Sequence, residues 1–196
     1  MLKIPSITVA PTNYPISLQD VKRNIGITID DDSQDLSIFE SIKSLTNWIE
    51  EYLNRSLITR TLTLDFDELE DDLVLAGEPI QSITSITYYD TTNTQQTLST
   101  DYYALDTSSA VANIYLKYGY SWPSHLEYRN SVTVTYVAGY GDTAASVPQA
   151  IRKAMLIIMD NWLRYQATSA SGLPISTIPY AAEQLLRPFR CMPGVR

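Results

Sequence analysis

Few residues in this chain are of a type that does covalent chemistry. His125 is the only histidine and Cys191 the only cysteine. A serine or cysteine nucleophile needs a histidine base within hydrogen-bond reach, so any such site would have to use His125. The surrounding Trp122-Pro-Ser-His-Leu-Glu127 contains no nucleophile elbow, and the residue reads as a loop histidine. Cys191 lies near the C-terminus with no inferable electropositive pocket, so it reads as a free tail thiol. A single cysteine also excludes an intrachain disulfide and a multi-cysteine metal site.

The carboxylates form two groups: Asp30, Asp31 and Asp32 with Asp35, and Asp65, Asp67, Glu68, Glu70, Asp71 and Asp72. Read as an EF-hand loop from Asp31, the first group puts Leu36 where glycine is needed and Ile42 where the bidentate glutamate belongs. Carboxylates ahead of a helix are stabilising on their own account, so this group needs no metal. The second group joins two strands, with weak calcium binding as the alternative to a plain acidic loop. Gly139 and Gly141 lack the lysine of a phosphate-binding loop and the third glycine of a dinucleotide fingerprint. They read as a joint, where backbone angles closed to other residues turn the chain from strand to helix.

The elements that position these residues follow from periodicity. Ser17 and Asp20 make a capping box for a first helix that Gly26 ends, with Leu18, Val21 and Ile25 on one face. A second helix is expected from about Ser33 to Asn54, with Leu36, Phe39, Ile42, Leu45, Ile49, Tyr52 and Leu53 as its apolar stripe. From Leu57 the period changes to two, and strands are expected at 57–66, 73–75, 82–89, 96–98, 102–105, 112–118 and 132–137. Helix returns after Pro148, with Ile151, Ala154, Met155, Ile158, Trp162 and Tyr165 on one face. A Ser/Thr/Gly/Pro stretch from Thr168 to Pro179 then precedes a short helix that stops at Pro188.

The expected fold is therefore α+β: a small helical bundle with an inserted antiparallel β-sandwich-like module and an extended C-terminal tail. Residues 1–56 supply an N-terminal arm and the first two bundle helices, 57–140 the β-module, 141–167 the third helix, and 168–196 a linker and tail. The bundle core is expected from Leu36, Phe39, Ile42, Ile49, Ile151, Ile158 and Trp162.

The net charge of −8 argues against a protein that grips nucleic acid through its phosphates. Residues 1–149 carry 8 basic and 20 acidic side chains, a balance of −12, whereas 150–196 carry 6 and 2, a balance of +4. One end can thus attract the other end of a neighbouring copy. The N-terminus lacks the uninterrupted apolar core of a signal peptide, and no stretch is long and apolar enough for a membrane span, so a soluble, unexported protein is expected. Ten of the 14 tyrosines fall between Tyr88 and Tyr140. Strand alternation accounts for most of them, and an aromatic contact surface in an oligomer is the alternative.

Several segments in this order resemble the head-tail connector (adaptor) proteins of tailed bacteriophages. They are Pro15-Ile-Ser-Leu-Gln-Asp-Val-Lys22, the triple aspartate, Trp48-Ile-Glu-Glu-Tyr52 through Thr61, Ile80 to Asp90, Asp101-Tyr-Tyr103, Trp122-Pro123, Val132 to Asp142 and Val147 to Ala154. The resemblance spans nearly the whole chain. It implies a virion protein that forms a ring, commonly twelve-fold, beneath the portal. Such a ring extends the DNA channel and offers a platform to a stopper or tail-completion protein.

The resemblance further implies no catalytic residue, cofactor or metal, and no membrane contact. The portal protein, the next neck protein and further copies of the chain are its partners, while genomic DNA passes through without specific binding. Connectors of this kind insert C-terminal elements between portal subunits. Ile178, Tyr180, Leu185, Leu186, Arg187, Phe189 and Arg190 are accordingly the expected portal-docking residues, in a segment from Ile178 to Arg196 ordered mainly by its partner. Asp30, Asp31, Asp32, Asp67, Glu68, Glu70, Asp71 and Asp72 are the candidate acidic channel or interface. Two other classes stay open on the residues alone: a β-sandwich module of a phage tail that binds carbohydrate or protein, and a small hydrolase using paired carboxylates.

Overall fold

The computed structural model describes residues 4–70, 72–109, 111–168 and 178–191, with side chains of the long third helix described as far as residue 164. Asp71, the side chain of Tyr165, most of the stretch from Thr168 to Pro179, and Arg196 lie outside the described residues. The chain is α+β and divides into two compact units. One comprises Met1–Pro11, Asn54–Tyr140 and Cys191–Arg196, the other Thr12–Leu53 and Gly141–Arg190.

The first unit is built from β1 (Ser6–Val9), β2 (Arg60–Phe66), β3 (Asp72–Val74), β4 (Ile80–Tyr89), β5 (Gln95–Thr97), β6 (Tyr103–Asp106), β7 (Asn113–Leu116) and β8 (Val132–Ala138). They form a five-stranded sheet in the order β1-β2-β8-β4-β5 and a three-stranded sheet in the order β3-β7-β6. Every pairing is antiparallel. In β8 the side chains of Val132, Val134, Tyr136 and Ala138 are buried while those between them are half-buried, the two-residue period of a strand covering a core. Those residues share one core with Leu62 and Leu64 of the same sheet and with Leu73 and Ile114 of the other. The β-branched and Thr-rich composition that signals strands also fits this half-buried surface.

The arm ahead of the first helix is corrected by the structure. Ser6–Val9 is an edge strand on β2, with Ser6 opposite Thr63 and Ile7 opposite Leu62. Five residues between Pro5 and Pro11 are too few for alternation to stand out in the sequence.

The second unit contains α1 (Leu18–Ile25), α2 (Asp35–Leu53), α3 (Gln149–Thr168) and α4 (Tyr180–Leu186). The Ser17 hydroxyl accepts from the Asp20 N–H at 3.1 Å, Asp20 accepts from the Ser17 N–H at 3.1 Å, and Gly26 ends α1 in the left-handed region. The helices α1, α2 and α3 pack on one another, and α4 packs on α3. Asn24 Nδ2 donates to the Leu156 carbonyl at 3.3 Å, and Arg152 Nε to that of Pro15 at 3.1 Å. These bonds tie the early and late segments of the unit together.

Two expected core residues are not in the core. Leu36 is 77% exposed and Phe39 40%. The buried stripe of α2 runs instead through Ile38, Ile42, Leu45, Ile49 and Leu53, at spacings of four, three, four and four. That series keeps one face for the whole helix, whereas Leu36 stands two residues from Ile38 and so on the far side. Phe39 is covered at its edge by Tyr14, the rings meeting at 84° and 5.4 Å. In α3 the side chains of Ile151, Ala154, Met155, Ile158 and Met159 are buried and that of Trp162 is half-buried.

Glycine is required where β8 ends. Gly139 has φ +119°, and a Cβ there would lie 2.6 Å from the backbone carbonyl of Ile58. Gly141, with φ +152°, would set a Cβ 2.5 Å from the Ser146 hydroxyl. The pair is a joint, and the Pro148 carbonyl then accepts the first bonds of α3, from Ile151 and Arg152.

Ile49 has no exposed surface. Ile49→Asp therefore puts an unpaired carboxylate into the buried stripe of α2 and is expected to cost roughly 3 kcal/mol or more. Thermal unfolding of the full chain checks this, and an unchanged midpoint would contradict the packing described.

Candidate functional site

The buried polar groups hold loops rather than face a cavity. Lys22, on α1, is 2% exposed. Its ammonium donates to the carbonyls of Ile29 and Asp31 at 3.1 and 2.7 Å and pairs with the Asp35 carboxylate at 2.5 Å. One cation thus gathers the turn and the start of α2. Asp30, Asp31 and Asp32 are exposed; the Asp31 carboxylate accepts from the Ser33 N–H at 3.0 Å, and hydrogen bonding to Ser33, through its side chain first and its backbone second, lowers the Asp31 pKa. The sequence marks Lys22 only as one member of a helix; its burial was not foreseen.

The second acidic group is pinned by His125. Nε2 of His125 accepts from the Leu69 N–H at 3.2 Å, so Nδ1 carries the proton and donates to the Pro123 carbonyl at 3.0 Å. Leu69 is buried between the exposed Glu68 and Glu70. Asp67 accepts from the Asn130 N–H at 2.9 Å through its side chain and from the Ser131 hydroxyl at 2.7 Å through its carbonyl. Asp72 accepts from Asn113 Nδ2 at 3.0 Å. Asp67, Glu68, Glu70 and Asp72 are all exposed, and among the described residues no group of three His, Cys, Asp or Glu is placed to hold a metal ion.

Among the described residues Glu78 is the one deeply buried carboxylate, 7% exposed. It accepts from the N–H of Ile80 at 3.2 Å and, by a very short bond, from that of Ala112. Burial raises its pKa against the opposing pull of those two bonds and of Arg55. The hydroxyl of Tyr136 donates to the Ala76 carbonyl at 2.8 Å, and burial pushes its pKa up as well. Cys191 forms no disulfide, but its side chain is buried rather than exposed on a tail. Burial raises the pKa of its thiol, and Arg55 opposes that rise. A thiol so placed is a poor nucleophile.

The C-terminal segment needs the largest correction. The side chains of Leu186 and Ala182 are fully buried, and α4 packs on α3. Leu185 and Phe189 are half-buried, and the Arg190 guanidinium lies 5.0 Å from the centre of the Tyr52 ring. The trio of Leu185, Leu186 and Phe189 was expected to need an external surface because a helix this short does not persist alone. For Leu186 the chain itself supplies that surface, while Leu185 and Phe189 stay partly exposed. Tyr180 and Arg187 remain exposed, and Ile178 is half-buried.

One open groove of about 480 Å³ lies in the helical unit, lined by residues that include Tyr14, Leu18, Phe39 and Ile42. It contains no charged or nucleophilic constellation. Lys22, His125 and Glu78 are engaged by the chain's own loops.

The class of protein follows from comparison with known proteins. The chain belongs to the head completion protein family, which it matches over residues 16–190. The resemblance to phage connectors points to the same class of virion protein. Among curated proteins none matches the chain. In fold it is similar to a chain from the neck of an empty gene transfer agent particle computed with C6 symmetry, at 15% identity and a TM-score of 0.78, covering 98% of this chain and 97% of that one. A second, from the neck of a native particle computed with C12 symmetry, gives 16% identity and 0.72, covering 100% and 98%. A third, from the virion of a native gene transfer agent particle, gives 15% and 0.76, covering 98% and 97%.

Two measurements test these assignments. Lys22→Met removes three partners at once and leaves two carbonyls unsatisfied, so it is expected to lower stability by about 1–3 kcal/mol and to speed amide exchange at residues 29–35. Amide exchange unchanged in that turn would contradict the role of the lysine. For Glu78, the native state holds its proton more tightly than the unfolded chain, whose reference pKa is 4.5. The stability this contributes is full below that value and is lost as pH rises through the native pKa. Glu78→Gln is expected to flatten that decline in an unfolding series across pH, and an identical pH profile would contradict it.

Proposed function

We propose that the chain is a head-to-tail adaptor of a tailed phage-like particle, forming a ring below the portal that extends the DNA channel and seats the next neck protein. The observation that carries the reading is the family match over residues 16–190, joined to a fold likeness running through nearly the whole chain. The C6 and C12 symmetries of the similar neck structures favour a cyclic assembly, and we take a twelve-fold ring as the working form.

The electrostatics support the same role. With a charge of −8 per copy, a ring presents carboxylates to passing DNA. Each Lys or Arg contact would add counterion-release affinity and slow the phosphates that must slide past. The exposed carboxylates of Asp30, Asp32, Glu68 and Glu70 are candidates for such a lining, and the exposed Tyr180 and Arg187 for portal contact. No helix among the described residues is long and apolar enough to cross a membrane.

Deleting the gene for this chain is expected to leave DNA-filled heads without tails, and purified chain added back is expected to bind those heads and restore tail joining. Normal tailed particles from the deletion strain would overturn the reading.

A further inference from the structure

The five-stranded sheet has two open edges, and both are uncharged. At one, β1 pairs only with β2, and all four of its residues are exposed. Ile7 and Val9, two residues apart in an extended strand, are 56% and 57% exposed. An open edge offers free N–H and C=O groups to a further strand, and chains usually guard it with a charge or a proline inside the strand. Here β1 is short and its register on β2 shifts between Ile7 and Val9, but Pro5 and Pro11 flank the strand without entering it, and no charged residue occurs from position 4 to 19. At the other edge, β5 pairs only with β4, its three residues are exposed, and positions 91–100 carry no charge.

We infer that β1 of one copy adds to β5 of the next, so that the five-stranded sheets of neighbouring subunits become continuous. This rests on the reading of the chain as a ring protein and names the contact that closes it. Charge favours a second copy as the occupant. Copies at −8 each repel, so a contact between them is cheapest where neither surface is charged, and these two edges meet that condition. The chain also carries both halves of the contact at opposite ends of one sheet, which makes the interface heterologous and repeating.

Strand direction agrees with a ring. Four successive antiparallel pairings leave β1 and β5 running the same way. Their union is therefore parallel, and it is generated by a rotation about an axis roughly along the strands. Pairing of β1 with β1 would instead be a two-fold contact that stops at a dimer. The strand β1 lies ahead of the region matched to the family.

The test uses the full chain, alone at high concentration and bound to portal-bearing heads. Ile7→Lys with Val9→Lys puts two cations on an exposed edge, so melting is expected to stay unchanged while ring assembly, followed by sedimentation, is lost. In otherwise wild-type chain, Thr8→Cys together with Thr97→Cys is expected to give a ladder of oxidised multimers in the assembled state, and either substitution alone to give none. Assembly of the lysine variant like wild type, absence of a ladder in assembled protein, or dimers from Thr8→Cys alone would overturn the inference while leaving the adaptor reading intact. Wild-type chain that neither forms a ring nor binds heads would overturn both.

Discussion

The pairing of β2 with β8 is the constraint on which the rest of the structure depends. Arg60 lies opposite Ala138 and Phe66 opposite Val132, so the β segment begins and ends on adjacent strands. Closing the loop of 65 residues between Phe66 and Val132 costs conformational entropy that grows with the logarithm of its length. A seven-residue ladder with a buried face meets that cost inside the β unit itself. The helices before and after it can then form one bundle, with α1 and α2 packing on α3 despite the long separation in sequence. The strand β8 is central for a second reason: it also carries β4, and its four buried side chains serve the core shared by both sheets.

Polar groups enter this frame only where they replace missing backbone partners. Lys22 gathers two carbonyls of the turn before α2, His125 receives the N–H of Leu69, and Glu78 receives those of Ile80 and Ala112. Each is a side chain of a type associated with catalysis, and each is engaged by its own fold. A protein that works by shape and contact has this economy: its loops must be rigid, and its exposed charge must repel rather than hold.

The periodic elements were legible in the sequence because long amphipathic helices and alternating strands carry their own signal. The capping box at Ser17 and the joint at Gly139 were legible for a similar reason, since capping and left-handed backbone demand particular residues. Three features were not. The strand β1 is too short for its period to be read. The face of α2 was misjudged at Leu36 and Phe39 because apolar residues there continue the spacing while the bundle selects Ile38. The fate of the C-terminal segment depended on tertiary contact: nothing in Tyr180 to Phe189 distinguishes a helix waiting for a partner from one that packs on α3. Burial of Lys22 was hidden likewise, since only the path of the turn around it turns a surface residue into an anchor.

The central claim is that this chain acts as a ring on the portal. Its most direct test is native mass measurement of the purified chain with and without purified portal. The account predicts a cyclic complex with portal carrying on the order of twelve copies, as in the C12 arrangement of the similar neck structure. A chain that stays monomeric in the presence of portal at concentrations well above those of assembly would contradict it.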